Sequence, residues 1–229
     1  KQVLGVKVTQ YRNEAQATYL GLTEREYQQD PYQNQAKNDL IEVNRQSFDL
    51  NHEYLLNDDL TLRSLVYWNQ ADRDWWRESF SFDADSGLNV SRGTNAGRLR
   101  AFEVYGLDTR LFADHRLWGI ANEAEIGLRL HGETMDNQRV NGSTPTSRSG
   151  TIQEDDVRKA DAVALFVQNR FHFTDTLAVT PGVRVEHYRQ SRDIARWGSE
   201  DVNTSSETSN TAQPVRKVKP QPIRPMPSR

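Results

Sequence analysis

Asn122–Gly132 reads N-E-A-E-I-G-L-R-L-H-G. Ala124, Ile126, Leu128 and Leu130 share one parity, and Glu123, Glu125, Gly127, Arg129 and His131 share the other. Successive side chains of an extended chain point to opposite faces, so this is a strand with one apolar and one charged face. Leu177–His187 repeats the pattern: Leu177, Val179, Val183 and Val185 alternate with Thr180, Gly182, Arg184 and Glu186. Arg45–Tyr54 does so again, with Phe48, Leu50 and Tyr54 set against Arg45, Ser47, Asp49, Asn51 and Glu53. All the Asp, Glu, Lys and Arg of each segment lie on one face, which chance gives roughly one time in 32 for faces assigned at random.

Composition narrows what such strands can build. Of 229 residues, 35% are apolar and 27% charged. No run of about 18 apolar residues occurs, so a helical membrane span is excluded, and little apolar material is left for a large soluble core. Lys+Arg number 29 against 32 Asp+Glu, a net charge of −3, which argues against a general nucleic-acid binder. Cysteine is absent, excluding disulfides, thiolate catalysis and Cys-ligated zinc. The five histidines, His52, His115, His131, His172 and His187, show no metal-binding spacing, so no resident metal or cofactor is expected. With no Gly-rich phosphate loop and no acid pair in a pocket pattern, an enzyme is the least supported class.

Seven strands are expected, at roughly 3–20, 40–55, 60–80, 99–114, 119–134, 158–173 and 176–192. The sixth has a helical alternative, since Val157, Ala160, Ala164 and Val167 also share a helix face. Connections near 56–59, 115–118 and 174–175 are short, whereas 21–39, 83–98 and 135–157 are long and polar. Short turns at one end and long loops at the other mark an outer-membrane β-barrel, and strands of this length exceed the usual soluble mode of about 5–6 residues. In hydrocarbon every backbone polar group must be paired, which a closed sheet achieves. Tyr54, Trp68, Trp118, Phe171 and Phe173 are expected in the interfacial girdle near the short turns. A soluble β-sandwich is the alternative reading of the same aromatics. Seven is odd, whereas bacterial single-chain barrels have even counts of at least eight, so the chain is expected to be part of a larger barrel.

The ends differ in kind. The chain begins at Lys1, which processing or fragmentation would give. Residues 1–198 are assigned to the partial barrel, and 199–229 to a disordered Ser/Thr-rich stretch followed by a Pro/Lys/Arg-rich tail. Residues 214–229 hold five prolines and five Lys/Arg with no acid, and without them the balance of 1–213 is 24 − 32 = −8. Such a tail is expected to be non-native to the ordered part, as a reading-frame shift would make it.

Three groups of residues carry a family resemblance. Ala17-Thr18-Tyr19-Leu20-Gly21-Leu22-Thr23 followed by Asp30-Pro31-Tyr32-Gln33 resembles a strand and loop of TonB-dependent outer-membrane receptors, in the ferric-dicitrate branch. Gly119–Glu133, with Glu125-Ile126-Gly127-Leu128-Arg129, is similar to another strand of that family. Ala164–Asn169 followed by Leu177–His187 resembles its T-P-G-x-R-x-E-H hairpin, the most specific of the three. The resemblance covers about residues 5–195. It implies a barrel of about 22 strands plugged by an N-terminal domain. It also implies a bacterial outer-membrane location, contact with outer-membrane lipid, and import of a ferric chelate powered by the TonB complex through that plug. Iron would enter inside the chelate, as cargo.

Ferric citrate presents carboxylates, which the planar fork of arginine pairs in bidentate fashion. On the third strand Arg63, Tyr67, Asn69, Ala71, Arg73, Trp75 and Arg77 share a parity, which faces the lumen if Leu62, Val66 and Trp68 face lipid. Arg73 and Arg77 are therefore candidate ligand contacts. By the resemblance Arg73 occupies the place of a ligand-facing arginine; salt-bridged barrel arginines are the alternative. Arg92, Arg98 and Arg100 are further candidates. Trp75 has two readings, ligand contact or outer girdle, as does Trp76. Glu123, Glu125, Arg129, Arg184 and Glu186 are expected to pair among themselves or with the plug. Three functional classes thus stand: a receptor segment, a soluble β-sandwich binding module, and a non-functional truncated receptor fragment.

Overall fold

Alternation at period two, sustained over tens of residues, produces strands long enough to pair along their whole length. The computed structural model describes residues 1–198 and 200–211. Among them are β1 (Gln2–Ala15), α1 (Glu24–Gln29), β2 (Leu40–Asn57), β3 (Leu60–Asp83), β4 (Leu88–Leu117), β5 (Ile120–Gly142), β6 (Thr151–His172), β7 (Ala178–Val179), β8 (Gly182–Trp197) and β9 (Glu200–Thr211). They form one antiparallel sheet in the order β1-β2-β3-β4-β5-β6-β8-β9, with β7 on β6. β7 and β8 pair with β6 in one continuing register, and Thr180-Pro181 merely interrupts them because proline has no N–H to donate. Asn169 N–H still donates to the Pro181 carbonyl across the break.

The described sheet is open, with β1 and β9 at its ends. Among the described residues no second sheet packs on it, and the buried hydrophobic residues are Ala36, in the connection before β2, with Trp76, Val140 and Ala164 on the strands. A sandwich would bury one whole apolar face, so the sandwich alternative is set aside.

Several expectations need correcting. Nine strands stand where seven were expected. Residues 200–211, assigned to a disordered stretch, form β9 on β8; residues 212–229 lie outside the described residues. Much of the expected loops 83–98 and 135–157 is strand: β3 turns at 84–87 into β4, and β5 and β6 are joined by 143–150. Asn, Ser, Thr and Gly look loop-forming, yet a strand beyond the bilayer is free to be polar on both faces while its backbone stays paired. The sixth segment is a strand, as expected, and its helical alternative falls away.

The registers define the outward face. The row Val8–Phe48–Trp68–Tyr105 and the row Leu60–Ala113–Ala124 bound an apolar belt that includes Leu62, Val66, Leu107, Leu111, Ile126, Leu128, Leu165 and Val185. Above it the next row is Gln10–Gln46–Gln70–Glu103. On β3 the belt runs from Leu60 to Trp68, which at about 3.3 Å per residue and a tilt near 40° is roughly 20 Å tall, close to the ~25 Å of a barrel's lipid band. β3 and β4 continue far past it. Trp68 thus lies at the belt edge remote from the short turns, on the opposite side from the girdle expected of it. Trp76 stands well above the belt, buried over Gly97, and is no girdle residue.

Candidate functional site

Above the belt the inward parity gathers arginine. Above the belt three pairs of arginines are direct cross-strand neighbours: Arg73 with Arg100, Arg98 with Arg139, and Arg158 with Arg192. Like charges directly opposite each other repel, and an anion shared between the members relieves this. Two pairs have one. Glu154 accepts from Arg98 Nη1 at 2.9 Å and from Arg139 Nη1 at 3.1 Å. Asp156, its side chain fully buried, accepts on Oδ1 from Arg158 Nε at 2.6 Å and Arg192 Nε at 2.9 Å. The third pair has none. Arg100 Nε donates to the neutral Asn137 Oδ1 at 3.0 Å. Arg73 makes no ion pair among the described residues, and its Nε is buried without a hydrogen-bond partner.

Asn137 ties the rows together. Its Oδ1 faces Arg100, and its Nδ2 donates to Asp156 Oδ2 at 2.7 Å. The amide therefore has a fixed sense, and flipping it would orphan both partners. Six arginines against two carboxylates leave this wall with a formal +4. Below it a pocket of about 410 Å3 is lined by Phe102, Met135, Arg158, Gln190 and Arg192.

Arg77 and Trp75 share the inward parity but are otherwise engaged. Trp75 Nε1 donates to the Ala17 carbonyl at 2.8 Å. The Arg77 guanidinium lies 4.3 Å from the Tyr19 ring centre and 4.7 Å from that of Trp75, and the two rings meet edge-on at 5.7 Å. The connection 16–39 folds over the ends of β3 and β4. Within it α1 starts with a capping box, Thr23 with Glu26. Glu26, 1% exposed, accepts from Asn89 N at 2.8 Å and Asn89 Nδ2 at 2.9 Å. Burial opposes its ionisation, but the Thr23 and Asn89 donors prevail and hold the carboxyl below its ordinary value. Burial pushes the Asp39 carboxyl up, although it accepts from Glu78 N at 2.6 Å.

Of the five residues expected from sequence, the structure brings Arg73, Arg98 and Arg100 together, with Arg98 already matched by Glu154. It places Trp75 and Arg77 against the connection 16–39. Arg92, grouped in sequence with Arg98 and Arg100, is exposed on β4 near Gly93. Arg139, Glu154 and Asp156 were missed because 135–157 read as a loop; strand parity carried past residue 134 on β5 and back before residue 158 on β6 would have put them on the lumen face. Arg158 and Arg192 lay at the ends of expected strands and were not singled out. Lower in the lumen Arg110 pairs with Asp108 and Glu125, Arg184 with Glu186, and Glu123 with His172. No group of three or more His, Asp or Glu among the described residues is arranged to hold a metal.

A long-stranded sheet with an apolar outer belt and a charged inner face defines an outer-membrane type of barrel. Residues 3–215 match the family described as TonB dependent receptor-like, beta-barrel, and the chain belongs to that family. This is a receptor family of the bacterial outer membrane and not an enzyme class. No curated protein matches. Among solved structures, the unliganded ferric citrate transporter FecA is similar, with a TM-score of 0.78 and 19% identity over 92% of this chain and 30% of FecA. The closed form of the ferric-catecholate import receptor Fiu from E. coli K12 has a TM-score of 0.69 and 12% identity over 92% of this chain and 37% of Fiu. The siderophore receptor PiuA from Acinetobacter baumannii has 0.60 and 11% over 76% of this chain and 29% of PiuA. At these identities the likeness is one of fold. The chain spans about a third of each structure.

Proposed function

We propose that this chain lines the outer vestibule of a TonB-dependent receptor that imports an anionic ferric chelate of the ferric-citrate type. The carrying observation is the unbridged Arg73–Arg100 pair. Glu154 and Asp156 each bridge two cross-strand arginines. A ligand carboxylate between Arg73 and Arg100 repeats that arrangement with the acid supplied from outside, where charge-assisted hydrogen bonds are strong. The surplus of positive charge draws an anion toward the wall before contact. The FecA likeness agrees with this ligand class, as does the family resemblance. The iron is cargo, held by the chelate and by no side chain. Energy would come from the TonB complex acting through a plug domain, and the location would be the outer membrane.

The test is ferric citrate binding to the receptor carrying this chain, measured against salt. Arg73→Gln is expected to weaken binding ~10-fold or more, as for loss of one charge-assisted pair of about 1.5–3 kcal/mol, and to flatten the salt dependence. Unchanged affinity in both Arg73→Gln and Arg100→Gln would reject the assignment.

A further inference from the structure

The connection 16–39 is bound to the outer ends of β3 and β4 at several separate points. Besides the Trp75 and Glu26 bonds, Arg25 Nη1 donates to the Ser86 carbonyl at 2.7 Å, Asn38 Nδ2 to Glu78 Oε2 at 3.0 Å, and Asn89 Nδ2 to the Gly21 carbonyl at 3.0 Å. From the far side Arg148 Nη2 reaches the Asn38 carbonyl at 3.2 Å. It is a strap fastened along its length.

Arg77 has an unusual place in it. Its guanidinium is in contact with two aromatic rings, its Nε is buried without a hydrogen-bond partner, and it makes no ion pair among the described residues. Asp39, whose charge it feels, is occupied by the Glu78 N–H. A cation between Tyr19 and Trp75 is stabilised by the ring faces, and Trp75 is in turn fixed by Ala17. Arg77 lies on β3 four residues beyond Arg73, on the same face.

We propose that Tyr19, Trp75 and Arg77 are a clasp that holds the strap on β3. They act as positioning residues: the clasp keeps the strap in one place beside Arg73, whose register against Arg100 the β3–β4 ladder sets, and a loosened strap is free to move over that ligand face. This rests on the ligand reading above and deepens it by separating the arginine that meets the anion from the one that does not. Arg77 is then no ligand contact, against its sequence-based assignment. Among the described residues 16–39 is the only connection with its own helix. A site whose side chains must hold one geometry gains from rigid surroundings.

The experiment is a double-mutant cycle in the receptor carrying this chain, with ferric citrate as the probe. Strap motion is followed separately by the anisotropy of a dye on Tyr32→Cys, an exposed strap residue in a sequence with no native cysteine. Tyr19→Ala and Arg77→Ala are each expected to lower anisotropy and to weaken binding three- to tenfold. The double variant should be no weaker than the weaker single, since one clasp is broken twice. The salt slope should stay as in the wild type. Arg77→Lys, which retains a cation on the rings, should bind nearly as the wild type does. Additive losses, a flattened salt slope in Arg77→Ala, or unaltered anisotropy in both single variants would overturn the clasp. Arg73→Gln serves as the control: if it leaves binding unchanged, the ligand reading fails, while the anisotropy still reports on the clasp.

Discussion

Replacing Asp156 by Asn removes one of the two carboxylates that hold the arginine wall together, and the structure sets the size of the effect. Asp156 has no exposed side-chain surface and accepts three hydrogen bonds, from Arg158, Arg192 and Asn137. An asparagine retains one oxygen. If that oxygen faces the two arginines, its amide meets the Asn137 amide, donor against donor. Asn137 has no free turn to make, because its oxygen is committed to Arg100. If the oxygen faces Asn137, the amide meets two guanidinium groups. Either way a partly exposed cross-strand arginine pair loses its counter-charge. Losing such charge-assisted hydrogen bonds costs about 1.5–3 kcal/mol. The loss should be local, in β5, β6 and β8 above the lipid belt, where hydrogen exchange reads it directly. At about 1.4 kcal/mol per tenfold, protection of amides around Asn137, Asp156 and Arg192 should fall by roughly one to two decades. Amides within the belt should change little. Protection within threefold of the wild type at these positions would refute the reasoning, and with it the view that Asp156 neutralises Arg158 and Arg192.

Three further outcomes follow from other sites. A Cβ on Gly127 would clash with the Phe166 ring, which is held between Arg110 and Arg184; Gly127→Ala should destabilise by about 1–3 kcal/mol in thermal unfolding, and Phe166→Ala in the same background should recover part of the loss. The strap should loosen in acid. Glu26, with its folded pKa below 4.5, contributes stability that is present above that value and lost as pH falls through the lower folded value. The raised Asp39 acts with the opposite sign, so its ionised form opposes closure at neutral pH. Dye anisotropy at Tyr32→Cys should therefore hold from pH 7 to about 5 and drop in stronger acid. Glu26→Gln should be low throughout, and Asp39→Asn should be no looser than the wild type at pH 7. Trp118 has φ 53° in the two-residue turn before Gly119, a conformation that penalises a bulky residue by about 1–2 kcal/mol. Trp118→Asn makes an Asn-Gly turn suited to it and should raise the unfolding midpoint, whereas a lowered midpoint would show that the exposed indole has partners in the membrane interface.

The distinction between what was legible and what was not is clearest on β4. Residues 99–114 read as strand because their two faces differ in polarity, as lipid and lumen require. Leu88–Arg98 is equally strand, but neither of its faces meets lipid and both carry polar residues, so alternation carries no signal there. The same blindness hid β9 and the outer halves of β5 and β6, and with them Arg139, Glu154 and Asp156. Parity did place Arg73, Trp75 and Arg77 on one face, because parity is a property of the chain alone. It left open which of them is free to meet a ligand.

The amino-acid order by itself thus determined the architecture: alternating strands, an apolar outer belt, a charged lumen and an arginine-rich third strand. These follow from local geometry, since neighbours along an extended chain must point in opposite directions. Only the tertiary structure decided the register that sets Arg73 against Arg100, the carboxylates given to two arginine pairs and withheld from the third, and the strap that engages Arg77. Those are relations between segments up to about 60 residues apart, and charge balance at a site is settled by what pairing brings opposite, not by what lies next in sequence.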